Sequence, residues 1–122
     1  NKPAYIPRPR VDPRDAIALV TAAGGVPVLA HPFSPGGVEG VLDRLMPVGL
    51  QGMEVDYGEY TPADRSTLRQ IAARRGLIAT GGSDFHGEGV GSADRVLGGP
   101  PVPLAAVANL RAAAPSQSQQ LP

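Results

Sequence analysis

Three short apolar segments recur at a fixed interval, and that interval limits the folds open to this chain. Pro27-Val28-Leu29-Ala30, Gly52-Met53-Glu54-Val55 and Leu77-Ile78-Ala79-Thr80 begin 25 residues apart each time. Runs of this length bounded by turn residues read as buried strands. The stretches between them carry helical spacing. A β-α-β-α-β order of this kind requires parallel strands joined by crossover helices. The fold class is therefore α/β, built from parallel β/α units.

The helix punctuation agrees. Asp12 is placed to N-cap a helix with Pro13 in its first position and Asp15 near the positive end of the dipole. Ala16, Ile17, Leu19, Val20 and Ala23 give that helix an apolar face, and Gly24-Gly25 stops it. Val38, Val41, Leu42 and Leu45 follow helical spacing until Pro47. Thr61 caps a third helix with Pro62 first and Asp64 at its third position; Leu68, Ile71 and Ala72 face inward and Gly76 closes it. A last helix is expected from Pro103, carrying Leu104, Val107, Ala108 and Leu110, after a glycine-rich loop from Gly87 to Pro101.

The ends read differently. Residues 1–11 open on Asn1 and are studded with proline, like an extended lead-in from a preceding segment. Residues 114–122 are polar and aperiodic and read as a disordered tail. The β/α unit proper is expected over 12–113, as a piece of a longer chain.

Composition removes several functions. Eleven Lys and Arg balance eleven Asp and Glu, so there is no general electrostatic pull toward nucleic acid or membrane. An anionic substrate must be attracted locally. The absence of cysteine excludes disulfides, zinc-thiolate sites and thiol catalysis. No apolar run approaches the roughly 20 residues that span a bilayer, and no signal peptide opens the chain. A cytoplasmic location is compatible with all of this.

The chemistry gathers after the strands. Gly81-Gly82-Ser83-Asp84-Phe85-His86-Gly87 follows the third apolar run, and Ala30-His31-Pro32 follows the first. On an extended backbone, side chains at i and i+2 point the same way. Asp84 and His86 are expected to converge, a carboxylate oxygen beside an imidazole nitrogen, as donors for a divalent metal. In parallel β/α folds the functional groups collect at the carboxyl ends of the strands. His31, Asp84 and His86 are thus the candidate metal ligands.

Blander roles are assigned to the rest. Glu54 is either a support for those ligands or a residue facing solvent or capping a helix. Asp56, Tyr57, Glu59 and Tyr60 read as a polar loop. Arg65, Arg69, Arg74 and Arg75 read as the solvated face of a helix, and Phe85 as an anchor packed away from the ligands.

At this point the residues resemble a known family. Ala22-Ala23-Gly24-Gly25-Val26-Pro27-Val28-Leu29-Ala30-His31-Pro32 resembles its A-G-G-x-x-x-x-A-H-P segment, Gly52-Met53-Glu54-Val55 its G-[IM]-E-V strand, and Gly81 to Gly87 its G-S-D-F-H-G motif. The family is the PHP (polymerase and histidinol phosphatase) superfamily of metal-dependent phosphoesterases. The branch of nucleoside 3′,5′-bisphosphate phosphatases and 5′-to-3′ exonucleases is the most similar, and Tyr5 and Arg8 fit its lead-in.

The resemblance implies a distorted seven-stranded β/α barrel, of which this chain is the second half. It implies hydrolysis of nucleotide or short-oligonucleotide phosphate esters, with His31, Asp84 and His86 as ligands and Tyr5 and Arg8 as substrate contacts. It favours manganese, with zinc or iron as alternatives. The first half would bring a His-x-His pair and further Asp, His and Glu ligands; this chain has only two histidines. The chain alone is therefore expected to be inactive, and to pair with that half or another copy. Two other readings compete. One is a non-catalytic PHP-like scaffold or interaction domain. The other is a metal-dependent amidohydrolase, which would need a bridging lysine, and the sole lysine is Lys2.

Overall fold

The computed structural model describes residues 10–33, 37–88, 90 and 95–115. Tyr5, Arg8 and Lys2, with most of the lead-in and the tail, lie outside these residues.

Helix α1 (Pro13–Ala22) starts where Asp12 accepts a hydrogen bond from the Arg14 amide at 2.8 Å. Strand β1 (Val28–Leu29) follows, then α2 (Val38–Leu45), which runs into a 3₁₀ turn at Met46–Val48. Strand β2 (Gly52–Tyr57), helix α3 (Pro62–Arg75), strand β3 (Ile78–Gly82) and helix α4 (Ala105–Ala113) complete the order. Thr61 and Asp64 form a reciprocal capping box at the start of α3. Gly76 ends it in the left-handed conformation, which glycine enters without a Cβ penalty.

The strands form a parallel three-stranded sheet in the order β1-β2-β3. Val28 pairs with Gly52, and Gly52 in turn with Ile78, so the three recurrent segments lie level with one another. The α/β expectation holds. The crossover helices bury their stripes against the sheet. Leu42 of α2, Met53 and Val55 of β2 and Leu68 of α3 are all 0% exposed. Ile17, Val38, Leu50, Ile71, Ala72 and Leu77 complete the core.

Two elements depart from expectation. Strand β1 is two residues long rather than four, because His31 has φ of 47° and turns the chain away from the sheet. Helix α1 buries Ile17 alone; Leu19 is 66% exposed and Val20 40%. An open apolar groove of about 200 Å³ lies between α1 and β1, lined by Pro13, Ile17, Val20, Val28 and Leu29 among others. Helix α4 begins at Ala105, two residues later than expected, and only Ala106 of it is buried.

The arginines of α3 are a solvated face only in part: the side chains of Arg69 and Arg74 are 52% and 60% exposed, yet each of the four finds acceptors on a neighbouring element. Arg74 and Arg75 both bond Glu39 of α2, and Arg75 also reaches Asp43 at 2.7 Å. Arg69 bonds Asp56 at 2.5 Å, and Arg65 donates to the carbonyls of Tyr57 and Gly58 at 3.0 and 3.2 Å. Helical spacing of three to five residues spreads these side chains over both flanks of α3, and each flank meets acceptors on β2 or α2.

Candidate functional site

The middle strand carries a bulge. Glu54 pairs with Thr80 and Asp56 with Gly81, so Val55 is an extra residue on β2. An inserted residue reverses which side chains share a face. Beyond the bulge it is therefore Tyr57, not Asp56, that joins Glu54: both meet His31. Asp56 turns instead to Arg69 of α3 and is 5% exposed. Gly81 makes the bulge feasible. A Cβ there would lie 2.3 Å from the carbonyl oxygen of Asp56.

The loops after β1 and β3 meet over Tyr57. His31 lies edge-on to the Tyr57 ring, with centroids 4.7 Å apart. Its backbone amide donates to Glu54 Oε2 at 3.0 Å, and Glu54 Oε2 is 3.8 Å from His31 Nδ1. On the other side, His31 Nε2 is 3.9 Å from Asp84 Oδ2. Glu54 thus supports the His31 loop from mid-strand, and does not simply face solvent.

Asp84 does not sit on extended backbone. Its φ is 53°, so the i to i+2 alignment with His86 fails. The two side chains approach by a different route. His86 Nδ1 is 2.6 Å from the Asp84 carbonyl oxygen and 3.6 Å from Asp84 Oδ1. A carbonyl has no proton to give, so Nδ1 must be the donor, and a neutral ring keeps its lone pair on Nε2. This is the tautomer-fixing contact that metal-binding histidines use. Phe85, expected to anchor the loop, is 41% exposed.

Three residues outside the motif complete the cluster. The Tyr57 hydroxyl donates to Glu59 Oε2 at 3.0 Å and lies 3.4 Å from Asp84 Oδ2. Arg95 donates to Glu59 Oε1 at 2.9 Å and forms an ion pair with Asp84, its Nη1 3.0 Å from Oδ2, with its guanidinium 6.0 Å from the centre of the Tyr57 ring. Burial, then the bond to Glu59, pushes the Tyr57 hydroxyl up to about 12. The bonds from Arg95 and Tyr57 hold the Glu59 carboxyl below its usual range, and Glu59 in turn raises Arg95. Tyr57 and Glu59, assigned to a polar loop, are thus part of the site.

His31 and Asp84 come together as a pair, and His86 contacts Asp84. Among the described residues, however, no group of three His, Cys, Asp or Glu side chains stands ready to hold a metal ion. The donors present fit such an ion in part. Two donors about 2.1 Å from a shared cation are no more than about 4.2 Å apart, and His31 Nε2 and Asp84 Oδ2 meet that limit at 3.9 Å.

No family model matches the chain. Individual proteins do. A phosphoribosyl 1,2-cyclic phosphate 1,2-diphosphodiesterase of Eggerthella lenta is 41% identical over 78 residues, covering 64% of this chain and 29% of that one. A 3′,5′-nucleoside bisphosphate phosphatase of Chromobacterium violaceum is 35% identical over 98 residues, covering 77% and 34%. The chain thus spans about a third of the length of these curated relatives. A solved structure from Bifidobacterium adolescentis, provisionally described as a metal-dependent phosphoesterase, superposes with a TM-score of 0.74 at 35% identity, over 94% of this chain and 41% of that one. An amidohydrolase from Chromobacterium violaceum, solved with bound sulfate and no metal, gives 0.71 at 28%, over 97% and 43%. The paired strand-end loops, the parallel sheet that presents them and these relatives lead to one conclusion: the chain is homologous to part of the phosphoesterases of the PHP family.

Proposed function

We propose that the protein to which this chain contributes is a metal-dependent phosphoesterase acting on a nucleotide-like phosphate ester. The chain forms the second half of a seven-stranded β/α barrel and supplies His31, Asp84 and His86 as ligands. The 3.9 Å approach of His31 and Asp84 from the ends of β1 and β3 is the observation that carries this reading. Both curated relatives are named for phosphate esters, one of a phosphoribosyl group and one of a nucleoside.

A divalent ion in such a site would neutralise phosphate charge and lower the pKa of a coordinated water. Manganese, zinc and iron all accept a mixture of imidazole and carboxylate. The chain's own residues prepare the donors. Glu54 fixes the His31 backbone. The Asp84 carbonyl fixes the His86 tautomer. Tyr57 stays protonated and directs its hydroxyl at Glu59. Tyr5 and Arg8 of the lead-in are the proposed substrate contacts.

The non-catalytic reading has one observation in its favour: Asp84 is already paired with Arg95. Metal binding decides between the two. Isothermal titration with Mn²⁺ should show binding that Asp84→Asn abolishes. Phosphate release from a nucleoside 3′,5′-bisphosphate should require the remainder of the barrel. Turnover by the 122-residue chain alone would contradict this division of the site. The absence of Mn²⁺ binding by any form would leave the scaffold as the better account.

A further inference from the structure

Arg95 is the residue that neither the motif nor the relatives' names bring forward. It comes from the loop before α4, yet its side chain is only 22% exposed. It is held on three sides: by Glu59, by Asp84 and by the face of Tyr57. Its ion pair with Asp84 is made to Oδ2, the same oxygen that faces His31 Nε2. A cation shared by His31 and Asp84 would need that oxygen. One carboxylate oxygen can accept a guanidinium bond and a metal bond together only at the cost of two positive charges side by side.

The charge around Tyr57 points the same way. Glu54, Glu59 and Asp84 each contact His31 or Tyr57, and Arg95 is the cation that pairs with two of them. The nearby Arg65 spends its donors on the carbonyls of Tyr57 and Gly58. The cluster as it stands is therefore short of positive charge even with Arg95 in place. A divalent ion would supply more charge than the guanidinium it replaces. Glu59 lies close enough to keep Arg95 after Asp84 lets go, because the Glu59 hydrogen bond runs through Nε and the Asp84 ion pair through Nη1.

We propose that Arg95 is an exchangeable internal counter-ion of Asp84, displaced from it when a divalent cation binds. Arg95 is thus a positioning residue: it keeps Asp84 aimed at His31 while no cation is there, and it sets a threshold that the cation must exceed. This rests on the ligand assignment above.

The test has a metal-free and a metal-bound arm, both on the full chain. In the first, urea denaturation is followed for wild type, Arg95→Gln, Asp84→Asn and the double variant in EDTA. The two substitutions should be coupled, so that the double variant is less destabilised than the sum of the singles. In the second, Mn²⁺ alone is titrated calorimetrically. Arg95→Gln should bind Mn²⁺ about two- to fivefold more tightly than wild type, the scale of losing one competing ion pair. Arg95→Lys, which keeps the charge, should not show that gain. Additive substitutions in the first arm would overturn the proposal whatever the metal does. Equal Mn²⁺ affinity in wild type and Arg95→Gln would overturn it while leaving the ligand assignment intact. No Mn²⁺ binding in either protein would overturn both.

Discussion

Single residues decide how this site is aimed. Gly81 is the clearest case, because the bulge on β2 brings the Asp56 backbone where a side chain would stand. Gly81→Ala should destabilise the fold by at least about 2 kcal/mol in urea denaturation, from overpacking against backbone that cannot yield. A companion loss of the His31–Tyr57 contact should appear as shifted histidine resonances in NMR spectra. Tyr57 offers a second test. Its hydroxyl is raised to about 12 from an ordinary value near 10, so its contribution to stability is complete below about pH 10 and is lost as pH climbs toward 12. Tyr57→Phe should remove that alkaline component; denaturation curves between pH 9 and pH 12, about where phenols titrate, measure it. The glycine was visible in the sequence as part of Gly81-Gly82, but its partner was not. A bulge is set by which residues oppose one another across strands, and no single strand displays it. For that reason Asp56 and Tyr57, both read as polar loop, part company in the structure, Asp56 toward Arg69 and Tyr57 toward His31.

At the scale of elements, the strands and helices were legible for a local reason. Caps such as Asp12, Thr61 and Gly76 act within one turn, and the recurrent apolar runs need only their own neighbours to be read. The contacts of the α3 arginines stayed hidden for the opposite reason. Their partners lie on β2 and α2, and a helix pattern alone cannot report them. The clamp of Arg74 and Arg75 on Glu39 ties α3 to α2. The bonds from Arg75 and then Arg74 hold the Glu39 carboxyl below its usual range. A lowered carboxyl stabilises the fold above its unfolded value, near about 4.3, and that stability disappears as pH falls through the folded value. Glu39→Gln should therefore lower the melting temperature at neutral pH and flatten its decline on acidification. Thermal melts from pH 7 to about pH 3 follow both; an unchanged acid limb would mean that the clamp is held no tighter than a solvated pair.

The whole molecule presents more apolar surface than its own core can use. Leu19 and Val20 on α1, Leu104 just before α4 and Val107 on it are exposed, and among the described residues β1 is an edge strand beside the groove under α1. Surfaces of that kind belong to interfaces or to unfinished packing. Under native conditions the chain should bind the dye ANS, and Val20→Lys should reduce the fluorescence without loss of helical circular dichroism. At this scale the sequence said least about Arg95, since a glycine-rich loop has no period to show where its one well-placed cation lands.

The two donors that meet across the sheet share one more property. His31 and Asp84 both hold positive φ, a region where glycine would sit with less strain. Backbone comfort alone therefore asks for neither an imidazole nor a carboxylate at these corners. A stability screen run without regard to chemistry would be free to trade them away, so an activity assay has to accompany any effort to make this chain more robust.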